Sequence, residues 1–272
     1  MMKKNKIVLV VGANGLIGKN ICASLIKDNF KVIGVDNSYP LHKSKQIKFR
    51  NKKQINFKLD VSMPNEVNDF FKKNDYILRN LHGMIYGPTV KTEDFYNEFE
   101  KFSFKSWKKI LNTELDGAFN FSQNLGKIVK KNKKGSIIFL SSIYSVVTND
   151  NRIYTNTNIS RVNSKTNKKN TNLYSSIAYP VSKNGLIAIT KYLAGYWGKY
   201  SVRVNAISPG SVERNKKIRE DKVFLKRYLN KVPLNRRAQI KEISSVIKFL
   251  LSEDSSYITG QNIIVDGGYT IW

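Results

Sequence analysis

Tyr179 and Lys183 stand four residues apart in Tyr179-Pro180-Val181-Ser182-Lys183. On a helix that spacing puts both side chains on one face, about one turn apart. A free phenol, with a pKa of about 10, is a poor base at neutral pH. A neighbouring ammonium favours the phenolate and lowers that value. The tyrosine then becomes a usable general acid or base for moving an alcohol proton. The same spacing recurs at Tyr39 and Lys43 around Pro40, in a stretch that reads as loop. Context must therefore decide between the two pairs.

A second constellation is Gly12-Ala13-Asn14-Gly15-Leu16-Ile17-Gly18. It follows the apolar run Ile7-Val8-Leu9-Val10-Val11 and precedes apolar residues at helical spacing, Leu16, Ile17, Ile21 and Leu25. A glycine turn between a strand and a helix places a phosphate against unpaired N–H groups and the positive end of the helix dipole. Glycine permits the tight turn and the close approach of backbone to phosphate. Asp36 follows 18 positions after Gly18. A carboxylate there can accept from the adenosine ribose hydroxyls and would repel a 2′-phosphate, which favours NAD over NADP. Its alternative is a turn aspartate before Asn37-Ser38. Lys43 and Lys45 in the next loop keep NADP open. Asp60, with Val61 beside it, ends another apolar run and would meet the adenine edge, or else serve as an N-cap or turn residue.

These residues need elements to hold them. Apolar runs at 6–11, 31–35, 55–59, 83–86, 136–140, 202–207 and 263–265 predict strands. Helical spacing predicts helices at 16–27, 65–73, 104–130, 182–199 and 242–251. Their alternation predicts an α/β fold, a doubly wound parallel sheet with helices on both faces, in a single domain over 1–272. The polar, basic stretch 38–53 reads as a loop. The stretch 149–172, rich in Asn, Thr, Ser and Lys, reads as an inserted surface loop or lid.

Composition removes several functions. The chain has one cysteine, Cys22, and two histidines, His42 and His82, far apart in sequence. That leaves no internal disulfide framework and no zinc-ligand spacing, and it favours a reducing compartment. The first apolar run is too short for a signal peptide, and no stretch matches a membrane span. A cytoplasmic protein with no membrane partner is expected. The net charge of +27 is dispersed over Lys130-Lys131, Lys133-Lys134, Lys168-Lys169 and Lys216-Lys217. It forms no basic stripe with interleaved aromatics, so no nucleic-acid partner is expected. Such charge still draws anionic small molecules.

With these motifs, the chain resembles the short-chain dehydrogenases/reductases of the compact branch. The resemblance spans nearly the whole sequence. It rests on the glycine turn, Ser141-Ser142 ending the fifth strand, the Tyr179/Lys183 pair and Val202-Arg203-Val204-Asn205-Ala206-Ile207-Ser208-Pro209-Gly210. The tail from Tyr257-Ile258-Thr259-Gly260-Gln261 to Val265-Asp266-Gly267-Gly268 adds to it. The resemblance implies that Tyr179 is the acid/base, and that Lys183 lowers its pKa and holds the nicotinamide ribose. Ser142 would hydrogen-bond the substrate oxygen, its alternative being a strand-end hydroxyl serving backbone, as expected of Ser141. Pro209, Gly210 and Val212 would line the nicotinamide pocket. A homodimer or homotetramer is implied.

Several positions depart from the family pattern. The middle glycine is Gly15, where the family has it at the place of Leu16. The Asn-Asn-Ala-Gly stretch after the fourth strand is replaced by Met84-Ile85-Tyr86-Gly87-Pro88. The helix asparagine of the proton relay falls on Glu114, with Asn112 two residues before it. Ser142 and Tyr179 lie 37 residues apart, and the 149–172 insert accounts for the excess. That gap, with Leu193-Ala194-Gly195-Tyr196-Trp197-Gly198-Lys199-Tyr200, is similar to oxidoreductases associated with flagellin modification and acidic-sugar biosynthesis. It implies a secondary alcohol/ketone exchange on a sugar derivative, with the insert as a specificity lid. Two alternatives stay open: a 3-oxoacyl-thioester reductase, and a non-catalytic dinucleotide sensor or scaffold.

Overall fold

The run Ile7-Val8-Leu9-Val10-Val11 has no polar alternation, and all five residues are buried in strand β1 (Ile7–Val11). A parallel strand covered on both faces reads this way. The computed structural model describes residues 6–41, 48–49, 52–155, 157, 173–213 and 221–272. Lys43, Lys45, His42, Lys168-Lys169, Lys216-Lys217 and most of the expected insert lie outside the described residues.

Six further strands complete the sheet: β2 (Lys31–Asp36), β3 (Gln54–Lys58), β4 (Leu81–Tyr86), β5 (Gly135–Leu140), β6 (Val202–Pro209) and β7 (Asn262–Val265). Their order is β3-β2-β1-β4-β5-β6-β7, every pair parallel. The order reverses between β1 and β4, and doubly wound sheets bind ligands at the carboxyl ends of strands flanking such a switch point. Helices α1 (Leu16–Lys27) and α7 (Ile240–Leu251) cover one face through Ile21, Cys22, Leu25, Ile243, Ile247 and Leu250. Helices α2 (Pro64–Leu78), α4 (Gly117–Asn132) and α5 (Ala178–Trp197) cover the other, with Phe70, Phe121 and Leu186 in the core. Each such buried side chain contributes about 1.5–3 kcal/mol of apolar transfer. Burial also pushes the Cys22 thiol up to about 12, which keeps it protonated and unreactive.

The doubly wound parallel sheet matches expectation, and the boundaries differ for local reasons. Helix α2 runs past residue 73 to Leu78, whose side chain is fully buried in the core with that of Val67. Helix α5 starts at Ala178, ahead of the expected residue 182, because a proline is tolerated in a first turn that needs no N–H there. The expected helix at 104–130 divides into α3 (Phe104–Leu111), a π-helical turn at Asn112–Asp116, and α4. Helix α6 (Lys222–Leu229) was not anticipated; Asp221 caps it, accepting from Phe224 N at 2.9 Å.

The start of the expected insert is not a polar surface loop. Residues Asn151–Tyr154 form a short 3₁₀ turn, and Ile153 and Tyr154 are buried with Ile143, Leu173, Tyr228, Val232 and Tyr269. Two apolar side chains among polar ones gave no periodicity by which to see this. Among the described residues no helix is long and apolar enough to cross a membrane. They also contain no group of His, Cys, Asp and Glu that could hold a metal.

Candidate active site

The three glycines of the first turn serve different ends. Gly12 has φ +81°, and a Cβ on it would lie 2.9 Å from Gly87 C and Pro88 N. Its N–H and that of Ala13 donate to the Val35 carbonyl at 2.8 and 3.1 Å, tying the turn to β2. Gly18 is buried, and its Cβ would fall 2.1 Å from the Gly12 oxygen, so only glycine lets α1 pack onto the turn. Gly15 is exposed, and the nearest atom to its notional Cβ is the Gly12 oxygen at 3.4 Å. The fold would accept a methyl there, and close approach by a ligand is what calls for glycine. Gly15 is also the N-cap of α1, and no side chain caps the helix. Its first-turn donors are therefore free for an anion.

Asp36 ends β2 and holds the turn. Its Oδ2 accepts from Asn14 N at 2.9 Å, and its Oδ1 from Ser38 N and Oγ at 3.0 and 2.6 Å. The Asn14 side chain donates to Ser38 Oγ at 2.7 Å. A carboxylate offers about four acceptor sites, so chain donors leave room for another partner. Both readings of Asp36, turn residue and ligand acceptor, are compatible with this geometry. Asp60 behaves similarly: its Oδ1 accepts from Ser62 N and Oγ at 2.9 and 2.7 Å.

Gly12, Asn14, Gly15, Asp36, Asp60 and Val61 line one cleft of about 580 Å³. Lys105, Lys108 and Lys109 of α3 line it as well, and add positive field to a groove suited to a phosphate chain. A second pocket of about 310 Å³ adjoins it, Thr89 lining both. Leu16, Ile17, Ser142, Tyr179, Pro209, Gly210 and Val212 line this second pocket. Gly18 and Lys183 line neither, the first lying beneath the turn and the second behind Tyr179.

Tyr179 sits in the first turn of α5, half-buried between two rings. Phe95 meets it edge-on at 6.2 Å and Tyr144 at 6.4 Å. Lys183 Nζ lies 5.4 Å from the Tyr179 ring centroid. Ser142 ends the strand side of the pocket, and its Oγ accepts from Tyr144 N at 3.2 Å. Its hydroxyl hydrogen stays available for a further acceptor. Ser141 turns away and donates to the Lys183 carbonyl at 2.9 Å, joining the end of β5 to α5.

Glu114 is fully buried on the π-helical turn, and its Oε2 lies 2.9 Å from Lys183 Nζ. Burial works to lower the Lys183 pKa; the charge and hydrogen bond of Glu114, with Tyr179 adding to them, outweigh it and hold that pKa above the ordinary lysine value. Of the two alternatives for the relay position, Glu114 is the one that meets Lys183, while Asn112 faces the first cleft. Sequence reasoning missed the aromatic wall of Tyr96, Tyr144, Tyr154, Phe224 and Tyr228. Aromatic residues in polar surroundings read as scattered core, and nothing local marks them as a pocket.

Comparison with known proteins accords with this geometry. The family described as short chain dehydrogenase matches residues 6–157, and that described as enoyl-(acyl carrier protein) reductase matches residues 156–270. A 3-oxoacyl-[acyl-carrier-protein] reductase, FabG, of Buchnera aphidicola subsp. Baizongia pistaciae is 31% identical, over 98% of each chain. The post-translational flagellin modification protein A of Campylobacter coli is 26% identical, over 98% of this chain and 99% of its own. A short chain dehydrogenase of Leptospira borgpetersenii serovar Hardjo-bovis, solved with bound NAD+, superposes with a TM-score of 0.81. It is 28% identical, covering 99% of this chain and 97% of its own. The chain belongs to the short-chain dehydrogenase family, whose members are NAD(P)-dependent oxidoreductases acting on CH–OH or keto groups.

Proposed function

We propose that this chain interconverts a secondary alcohol and a ketone on a sugar derivative, using NAD(H). The observation that carries this reading is one pocket lined by both the N-terminal turn of α1 and the side chains of Ser142 and Tyr179. NAD, when bound, supplies the hydride acceptor. Gly12, Asn14, Gly15 and the first turn of α1 would hold its pyrophosphate. Asp36 would take the adenosine ribose, Asp60 and Val61 the adenine edge, Lys183 the nicotinamide ribose. Pro209, Gly210 and Val212 would wall the nicotinamide. In reduction the Tyr179 hydroxyl gives its proton to the substrate oxygen, and in oxidation it takes that proton back. Ser142 donates to the same oxygen and orients it.

The walls favour a ring-sized polar substrate. Tyr154 stacks on Phe224 at 5.3 Å, and Phe224 on Tyr228 at 6.0 Å. Flat ring faces beside the hydroxyls of Thr89, Ser142 and Ser175 suit the C–H faces and hydroxyls of a sugar. The flagellin-modification relative, and the 2-dehydro-3-deoxy-D-gluconate 5-dehydrogenase of Bacillus subtilis, 28% identical, support this substrate class. A second reading, reduction of a 3-oxoacyl thioester, is favoured by the FabG relative. Turnover of keto sugars against 3-oxoacyl thioesters separates the two.

Because a carboxylate, Asp36, stands at the ribose end, NADH is expected to bind at least about tenfold more tightly than NADPH. Fluorescence titration of each nucleotide checks this, and equal affinities would remove the role given to Asp36. We also propose a cytoplasmic homodimer or homotetramer, with 1–272 as one domain that carries a polar insert at about 149–172. Tyr192 and Tyr196 of α5 stack at 6.0 Å while 69% and 49% exposed. Phe119 of α4 is 58% exposed. Such rings are expected at a subunit contact, so sedimentation should give twice or four times the chain mass. A monomer at micromolar concentration would contradict it.

A further inference from the structure

Three segments meet at the buried carboxylate of Glu114, and a fourth reaches its lysine partner. Its Oε2 accepts from Ser182 Oγ at 2.7 Å and lies 2.9 Å from Lys183 Nζ, both on α5. Its Oε1 accepts from Thr89 Oγ1 at 2.6 Å, in the segment after β4. Lys183 Nζ also reaches the Leu140 carbonyl at the end of β5, at 3.4 Å. Glu114 is 0% exposed and Lys183 3%. Thr89 directly follows Gly87-Pro88, so two of the places where this chain departs from its family, the stretch ending at Pro88 and the relay position on the helix, are joined through this contact.

A lone ammonium at that depth is costly, and a carboxylate held by further hydrogen bonds offsets the cost. Thr89 and Ser182 supply those bonds. We propose that Glu114 and Thr89 act as one positioning unit that anchors Lys183, so that the two departures compensate each other. Glu114 touches no reacting atom; it acts through Lys183. That the anchored lysine serves hydride transfer rests on the function proposed above, whereas the anchoring itself does not.

The charged and titratable groups around Glu114 are few. Lys183 faces it from α5, and Tyr179 lies on the far side of that lysine, its ring centroid 5.4 Å from Nζ. Tyr86 of β4 lies nearby with its hydroxyl donating to the Thr113 carbonyl at 2.7 Å. Burial, with Glu114, Asp116 and Asp60 adding to it, pushes that hydroxyl well above its ordinary value. Asp116, on the same turn, is exposed. Lys183 is therefore the group whose charge depends most on Glu114.

Melting curves of the protein alone, from about pH 7 to about pH 10, test the unit. In the wild type Lys183 has a folded pKa above its unfolded value, so its contribution is full below about pH 10 and is lost above. In Glu114→Gln burial is opposed only by Tyr179, and the folded pKa drops below the unfolded one. The unfolded chain then binds more protons, and stability rises with pH across that window. At pH 7 the variant is expected to melt about 6 °C or more below the wild type. By about pH 10 that gap should close by at least half. A gap constant with pH overturns the anchoring role.

Should Glu114→Gln fail to fold, the double variant Lys183→Met/Glu114→Gln is expected to melt above Lys183→Met alone, which leaves a buried carboxylate unpaired. A double variant no more stable than Lys183→Met overturns it equally. For Thr89, a cycle of Thr89→Val and Glu114→Ala should be non-additive by several degrees, and additive shifts would overturn the pairing of the two departures. None of these curves needs substrate or nucleotide. A failure of the hydride-transfer reading would register separately, as turnover that survives Tyr179→Phe.

Discussion

Tyr179→Phe is expected to lower turnover by about 10²–10⁴-fold, the range general acid–base catalysis commonly contributes. The substitution removes one oxygen and keeps the ring. Packing against Phe95 at 6.2 Å and Tyr144 at 6.4 Å is therefore retained. NADH affinity should change by no more than about threefold, since the glycine turn and Asp36 are untouched. Steady-state turnover with a fluorescence titration of NADH checks both halves. Unchanged turnover would take the proton-transfer role away from Tyr179. A large loss of NADH affinity would mean that the hydroxyl serves nucleotide binding instead.

The second large effect separates fold from ligand at the glycine turn. Gly15 has φ −68° and ψ 169°, a conformation open to any residue, and its notional Cβ meets only the Gly12 oxygen at 3.4 Å. Gly15→Ala should leave unfolding free energy within about 0.5 kcal/mol of the wild type. It should nevertheless weaken NAD binding by about tenfold or more, because the methyl stands where backbone must approach phosphate. Gly18→Ala should do the reverse in order. Its Cβ would lie 2.1 Å from the Gly12 backbone oxygen, an overpacking that costs about 1–3 kcal/mol or more. Binding would then fail through displacement of α1. Denaturant unfolding and NAD titration of both variants distinguish the cases. Undiminished NAD affinity in Gly15→Ala would mean that no phosphate passes over that glycine.

Much of this arrangement was legible in the sequence because each part had a local signature. Five consecutive apolar residues before a glycine turn read as a buried parallel strand, and the helix after it was bounded correctly at Leu16–Lys27. Tyr179 and Lys183 were legible from spacing and surroundings. What stayed hidden depended on contacts between distant segments. Glu114 and Thr89 are 25 residues apart, and their hydrogen bond has no pattern in sequence. The apolar cluster under Asn151–Tyr154 draws Ile143, Ile153, Leu173, Tyr228 and Tyr269 from five separate segments. Only Tyr228 sits on an α-helix, and that helix is eight residues long, so the aromatic wall of the second pocket emerged only from the packed chain. The helix expected at 182–199 begins instead at Ala178, with Pro180 accommodated in its first turn.

The central claim is that this site exchanges a hydride between NAD(H) and the carbinol carbon of a sugar-like substrate. The most direct measurement follows the loss of NADH absorbance across a panel of keto sugars and sugar phosphates, with 3-oxoacyl thioesters alongside, for the wild type and Tyr179→Phe. The expected result is turnover of at least one keto sugar by the wild type, abolished in the variant. The contradicting result is tight NADH binding with no member of the panel consumed above the rate without protein, which is how a dinucleotide sensor would behave.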